Sequence, residues 1–190
     1  PRPPVPTIAP DFVQRVTAVI LAGKGDSLPV SAMPVDGTWP TGTSKWEKRG
    51  LTLETPVWDM DLCIQCNKCA LACPHAAIRP KVYETSSLAG APDGFQTTAF
   101  RSREQPDHRY SLQVAPEDCT GCRLCVEVCP AKDKANPRRK ALAIEPLGER
   151  LAAERDRYAF FLDIPEVDRT TLSIDVKSSQ FLEPLFEYSG

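Results

Sequence analysis

Residues 63–74 read CIQCNKCALACP and residues 119–130 read CTGCRLCVEVCP. Both follow the pattern C-x2-C-x2-C-x3-C-P. Together they hold Cys63, Cys66, Cys69, Cys73, Cys119, Cys122, Cys125 and Cys129, which are all eight cysteines of the chain. An even cysteine count also suits a disulfide framework. The N-terminal PRPPVPTIAP lacks the charged-then-apolar order of a secretory signal, and no apolar run reaches the roughly 18 residues of a membrane span. A cytoplasmic, non-membrane chain keeps its thiols reduced, so grouped cysteines read as ligands.

Four thiolates around a [4Fe-4S] cube must point inward from four directions. Three cysteines spaced by two residues wrap one side of the cube, and loop amides then face its sulfurs. The fourth ligand cannot come from the same turn. In runs of this spacing the fourth cysteine ligates the other cluster. The expected sets are therefore Cys63, Cys66, Cys69 and Cys129 for the first cluster. Cys73, Cys119, Cys122 and Cys125 are expected for the second. Short helices at 67–72 and 123–128 carry the crossing ligands, and Pro74 and Pro130 turn the chain away. Ile64, Leu71, Ile78, Leu124, Val126 and Ile144 are expected to form the apolar shell. Zinc is the competing reading, but zinc sites use four ligands once, usually as two separated pairs.

Working outward, Val57-Trp58 and Ala77-Ile78 flank the first run. Leu112–Val114 and Ala141–Ile144 flank the second. Strand, loop, short helix and strand thus occur twice, an internal duplication. The fold class is α+β: a duplicated 2[4Fe-4S] bacterial-ferredoxin-like module with a long N-terminal arm and a C-terminal extension. Residues 57–146 form the dicluster domain, with a surface excursion at about 80–110. Residues 1–56 precede it. They comprise a proline-rich extended strap at 1–10, a helix over DFVQRVTAVILAGKG with Asp11 as cap and Gly23 as terminator, and an arm over 24–56. Trp39, Trp46 and Met33 suit an arm wrapped on a neighbour, the alternative being a disordered linker. Residues 147–190 hold a helix at 147–158 and then extended chain. Phe181, Leu182, Leu185, Phe186 and Tyr188 make its end too apolar for a free tail. Because the chain begins with Pro1, it reads as a piece of a longer polypeptide, or as a subunit whose ends pack on another domain.

Composition narrows the function classes. Nineteen prolines in 190 residues are about twice the usual share and imply a loop-rich chain. The formal charge is -2, and two loaded sites would bring it near -6. Such a chain has no general attraction for nucleic acid. The basic runs RSREQPDHR and KDKANPRRK are either docking points for an acidic electron carrier or solvated faces. His75, just after Cys73-Pro74, either tunes a cluster or packs. His108 is expected in a solvated polar loop. No catalytic constellation stands out.

Three stretches resemble the pyruvate:ferredoxin (flavodoxin) oxidoreductases. They are VDGTWPTGTSKWEKRG at 35–50, with Glu47, Lys48 and Arg49 as the Glu-Lys-Arg segment, then residues 57–84 and residues 112–134. FLDIPEVDR and QFLEPLFEYSG resemble the family's continuation. The resemblance implies an electron-transfer domain of a 2-oxoacid oxidoreductase, most simply the pyruvate enzyme. It implies two [4Fe-4S] clusters here. Thiamine diphosphate, magnesium and a third [4Fe-4S] cluster would lie in the rest of the enzyme. Ferredoxin or flavodoxin would be the acceptor and the whole enzyme a homodimer. The alternative is a stand-alone dicluster ferredoxin, for which the arm, the insert and the apolar C-terminus have no use.

Overall fold

The computed structural model describes residues 4–182. Its chain divides into two units, one running to Arg49 and the other starting at Gly50.

In the first unit, residues 11–21 are helical. They form a π-helical segment over Val13–Thr17 and then helix α1, Ala18–Leu21. Asp11 does not cap this helix. Its carboxylate pairs with Arg15 one turn on, at 2.7 Å. Gly23 does end it, at φ 70°. The Lys24 amide reaches back to the Val19 carbonyl and the Gly23 amide to that of Ile20, the paired closure that favours glycine at this position. The described part of the proline-rich start is not extended. Ala9 N–H closes a turn on the Pro6 carbonyl, and the Gln14 amide donates to the carbonyls of Thr7 and Ala9. Val5, Ala9 and Val13 are thereby buried, with Ala18 and Trp46 against them. The arm is a series of short 3-10 turns, and Trp39 packs edge-on to Phe12.

In the second unit the duplicated halves interleave. Strand β1 (Glu54–Trp58) leads through helix α2 (Lys68–Ala72) to strand β2 (Ile78–Glu84). After the insert, with its short strand β3 (Thr98–Ala99), strand β4 (His108–Val114) leads through helix α3 (Leu124–Glu127) to strand β5 (Leu142–Pro146). The outer strands β1 and β5 pair antiparallel, with Trp58 opposite Leu142. The inner strands β2 and β4 pair likewise, with Ile78 opposite Val114. Pro56 and Pro80 fall in β1 and β2, which have an open edge, where a missing N–H is tolerated. Hydrogen bonding repeats with the duplication. Asp59 N–H donates to Ala141 and Ala115 N–H to Ala77. Cys63 and Cys119 then each bond back four residues.

The insert is more than a surface excursion. β2 and β4 run into it, β3 adds a third strand, and Phe100 and Gln105 are buried. Phe100 and Phe181 meet edge to face at 5.6 Å, and Tyr110 stands 5.7 Å from Trp58 and 6.1 Å from Phe181. The described start of the apolar C-terminal stretch therefore completes the core of this unit. Leu185, Phe186 and Tyr188 lie outside the described residues. His108 opens β4 instead of sitting in a loop.

The second long helix, α4, spans Leu151–Asp163. It runs past the expected end at 158, and the added turn brings Phe160 and Phe161 into packing. Phe161 is fully buried with Tyr158, Ala77 and Ala115, and Phe160 meets Phe95. Pro165 forces Ile164 into extended backbone and stops the helix there. Lys81, buried at 4 % exposure, donates to the Ile164 carbonyl at 2.6 Å and pairs with Glu166. A cation at that end complements the helix dipole. Residues 169–179 are not extended either. They hold a 3-10 turn and helix α5, Val176–Ser179, capped by Asp175.

Replacing Phe161 by alanine is expected to cost about 3–5 kcal/mol of folding stability. Urea unfolding followed by circular dichroism measures this as a lower midpoint.

Candidate iron–sulfur sites

Helices α2 and α3 pack together, and two cavities are lined by the cysteine loops beside them. The first, about 320 Å³ with its mouth, is lined by Cys63, Cys66, Cys69 and Cys129. The second, about 380 Å³, is lined by Cys73, Cys119, Cys122 and Cys125. Each cavity thus draws three cysteines from one run and the fourth from the other. The cause is the strand pairing: α2 leaves the first loop and delivers Cys73 beside the second, and α3 delivers Cys129 beside the first.

The loops reach this shape by backbone conformations that few residues adopt. Gln65 and Asn67 in the first loop have φ 55° and 57°, and Gly121 and Arg123 at the matching places have φ 70° and 63°. Only one of these four is glycine, so the others need holding. Gln65, 1 % exposed, donates to the Ala99 carbonyl at 2.7 Å and accepts from Arg101 N–H at 2.8 Å. Asn67 accepts from the Tyr110 hydroxyl at 2.9 Å and donates to the Lys177 carbonyl at 2.9 Å. The Arg123 guanidinium pairs with Glu54. Gly121 has no room for a side chain, because a Cβ there would lie 2.5 Å from Thr52 Oγ1.

All eight cysteines are free thiols. Burial pushes Cys63, Cys69 and Cys119 up, and takes Cys125 to about 11. Neighbouring thiols add to this across the two runs: Cys129 acts on Cys63, and Cys73 acts on Cys119 and Cys125. Backbone amides oppose it. Gln65 N–H lies 3.3 Å from Cys63 Sγ, and Gly121, Ala70 and Val126 amides act on Cys119, Cys69 and Cys125. Clustered thiols raised by burial and met by N–H donors suit a cationic group that ionises them and leaves negative sulfur. Among the described residues no three Cys, His, Asp or Glu side chains converge on one metal ion. The thiols instead surround a volume, and the chemistry of this donor set fits a compact iron–sulfur cube better than a single zinc ion.

The walls differ from the expected apolar shell. Ile78 is buried, and it and Ile144 line the second cavity, while Ile64 lines the first. Leu71 and Leu124 are exposed and line neither, and Val126 packs into the core. Trp58, Tyr110, Leu112 and Leu142 wall the first cavity, and Pro56, Ala77 and Val114 the second. Their signal in the sequence is positional: Trp58 and Val114 each stand five residues before the first cysteine of a run. His75 lines the second cavity. Parts of the basic runs are structural. Lys140 donates to the Val126 and Glu127 carbonyls, Arg139 pairs with Asp59 and Asp133, and Arg109 bonds Thr97.

Residues 62–132 match the family described as the 4Fe-4S dicluster domain, and residues 1–52 match the EKR family, described as a domain of unknown function. The chain is 54 % identical over its full length to a probable pyruvate-flavodoxin oxidoreductase of Escherichia coli, covering 16 % of that protein. A putative pyruvate-flavodoxin oxidoreductase of Synechocystis is 50 % identical, with the same coverage. The pyruvate-flavodoxin oxidoreductase of Rhodospirillum rubrum is 52 % identical over 96 % of the chain and 15 % of its own length. The chain is homologous to one stretch of the pyruvate-flavodoxin oxidoreductases. It spans about one sixth of the length of these curated relatives. As such a stretch it carries a 4Fe-4S dicluster domain of an oxidoreductase family. No helix among the described residues is long and apolar enough to cross a membrane.

Replacing Gln65 by alanine strands the Ala99 carbonyl and the Arg101 amide. A loss of about 1–3 kcal/mol is expected, measured as a lower urea midpoint at unchanged slope.

Proposed function

We propose that Cys63, Cys66, Cys69 and Cys129 hold one [4Fe-4S] cluster, and that Cys73, Cys119, Cys122 and Cys125 hold the other. The chain then acts as the electron relay of a 2-oxoacid oxidoreductase, with pyruvate as the substrate of the whole enzyme. The observation that carries this is the composition of the two cavities, each lined by one crossed set of four cysteines. The clusters supply single-electron storage and transfer. The residues of this chain do the rest. The eight thiolates fix the positions of the irons, and the packed α2 and α3 keep the two sites adjacent. Amides such as Gln65 N–H stabilise negative sulfur, and Trp58, Tyr110, Leu112 and Leu142 exclude water from the first site.

In this reading the electrons come from thiamine diphosphate and magnesium, through a third cluster, in other parts of a homodimeric cytoplasmic enzyme. They leave to ferredoxin or flavodoxin. The names of the relatives support pyruvate and flavodoxin, and the match to proteins some six times longer supports a part over a free carrier.

The cluster-loaded protein is expected to contain about eight iron and eight sulfide per chain. Cys73→Ala should lower iron to about four, and its reduced EPR spectrum should match that of Cys122→Ala. A spectrum matching Cys66→Ala instead would place Cys73 in the first site.

A further inference from the structure

The two cavities are built on the same backbone, so their walls can be compared place by place. Trp58 in the first corresponds to Val114 in the second, each five residues before the first cysteine and each on a strand that ends at the loop. Leu142 corresponds to Ile78, their partners in the two ladders. At the tryptophan position the halves differ in kind. Val114 offers the second cavity only methyl groups, while Trp58 brings an N–H donor.

Among the described residues that donor completes no hydrogen bond to a protein acceptor. Trp58 is 3 % exposed, and its Nε1 is buried without a hydrogen-bond partner. The ring is held by its strand register with Leu142 and by edge-to-face contact with Tyr110 at 5.7 Å. A buried, unmet N–H is costly and calls for an explanation. The other polar wall groups of this cavity are engaged elsewhere. The Tyr110 hydroxyl donates to Asn67, and the Asn67 amide donates to the Lys177 carbonyl. Cys63 packs against the core cluster that contains Trp58, and both residues line the first cavity. The sulfurs of Cys63, Cys66, Cys69 and Cys129 belong to the cavity that this indole walls.

We propose that Trp58 is a positioning residue for electron transfer, whose indole N–H donates to sulfur at the first site and raises the reduction potential of the cluster held there. This rests on the ligand sets proposed above. Reduction adds one negative charge, and a donor aimed at sulfur in a dry pocket stabilises the reduced state more than the oxidised one. Through Trp58 the first site gains a pull on the electron that Val114 cannot give the second.

The test uses the cluster-loaded protein with tryptophan labelled by 15N in the indole. Iron content is measured first, and Cys122→Ala, which keeps only the first cluster, identifies the first-site signal. Pulsed EPR of the reduced protein should detect an indole nitrogen coupled to that signal, and Trp58→Phe should abolish it. In a redox titration Trp58→Phe should weaken reduction of the first cluster about tenfold, a downward shift of 59 mV for one electron, and leave the second in place. Leu142→Val loosens the same wall without touching the donor, and it should keep both the coupling and the potential. With iron at about eight per chain, absence of the coupling, an unmoved potential in Trp58→Phe, or an equal shift in Leu142→Val overturns the role of Trp58 alone. Failure of Cys122→Ala to retain a cluster overturns the ligand sets and the role of Trp58 together.

Discussion

The antiparallel pairing of β1 with β5 and of β2 with β4 is the constraint from which the rest of this molecule follows. Each half of the duplication contributes one outer and one inner strand, so neither half forms a ladder alone. Interleaving brings α2 and α3 together, and their ends set Cys73 and Cys129 beside the loops of the opposite half. A loop of three cysteines can surround only one side of a cube, and the ladder supplies the missing side. The same pairing that holds the sheet therefore makes two cavities that both depend on the whole fold.

Equal backbones carry unequal walls. The matching left-handed positions at 65 and 121, and at 67 and 123, show how closely the loops repeat. What holds them differs. Glycine and a close approach to Thr52 serve the second loop. The first loop relies on a buried glutamine bonded to the insert and on an asparagine bonded to Tyr110 and to α5. The insert and the C-terminal segment, which a minimal module would not need, thereby stabilise the first loop in particular. Repeated backbone with different walls gives two sites of similar geometry in two environments.

The cysteine spacing made the site legible, because ligand number and loop curvature are local properties of twelve residues. The crossed sets expected from the spacing match the linings of the two cavities, each with three cysteines of one run and the fourth of the other. Other features depend on distant chain and left no local mark. Gln65 and Asn67 carry no glycine signal, and their conformation is maintained by residues 34 to 110 positions away. AFFLD reads as extended by its apolar run, but burial of Phe161 against Ala77 and Ala115 extends the helix through it. The insert reads as a surface excursion, yet Phe100 meets Phe181 in the core. Trp58 reads as a strand residue, and its second role emerges only when its N–H is found unmet.

The crossing of the fourth cysteines is tested most directly by iron anomalous diffraction from crystals of the cluster-loaded protein. Two iron peaks are predicted, one with Cys73 bound alongside Cys119, Cys122 and Cys125, and one with Cys129 alongside Cys63, Cys66 and Cys69. Iron bound by Cys63, Cys66, Cys69 and Cys73 together would contradict the account.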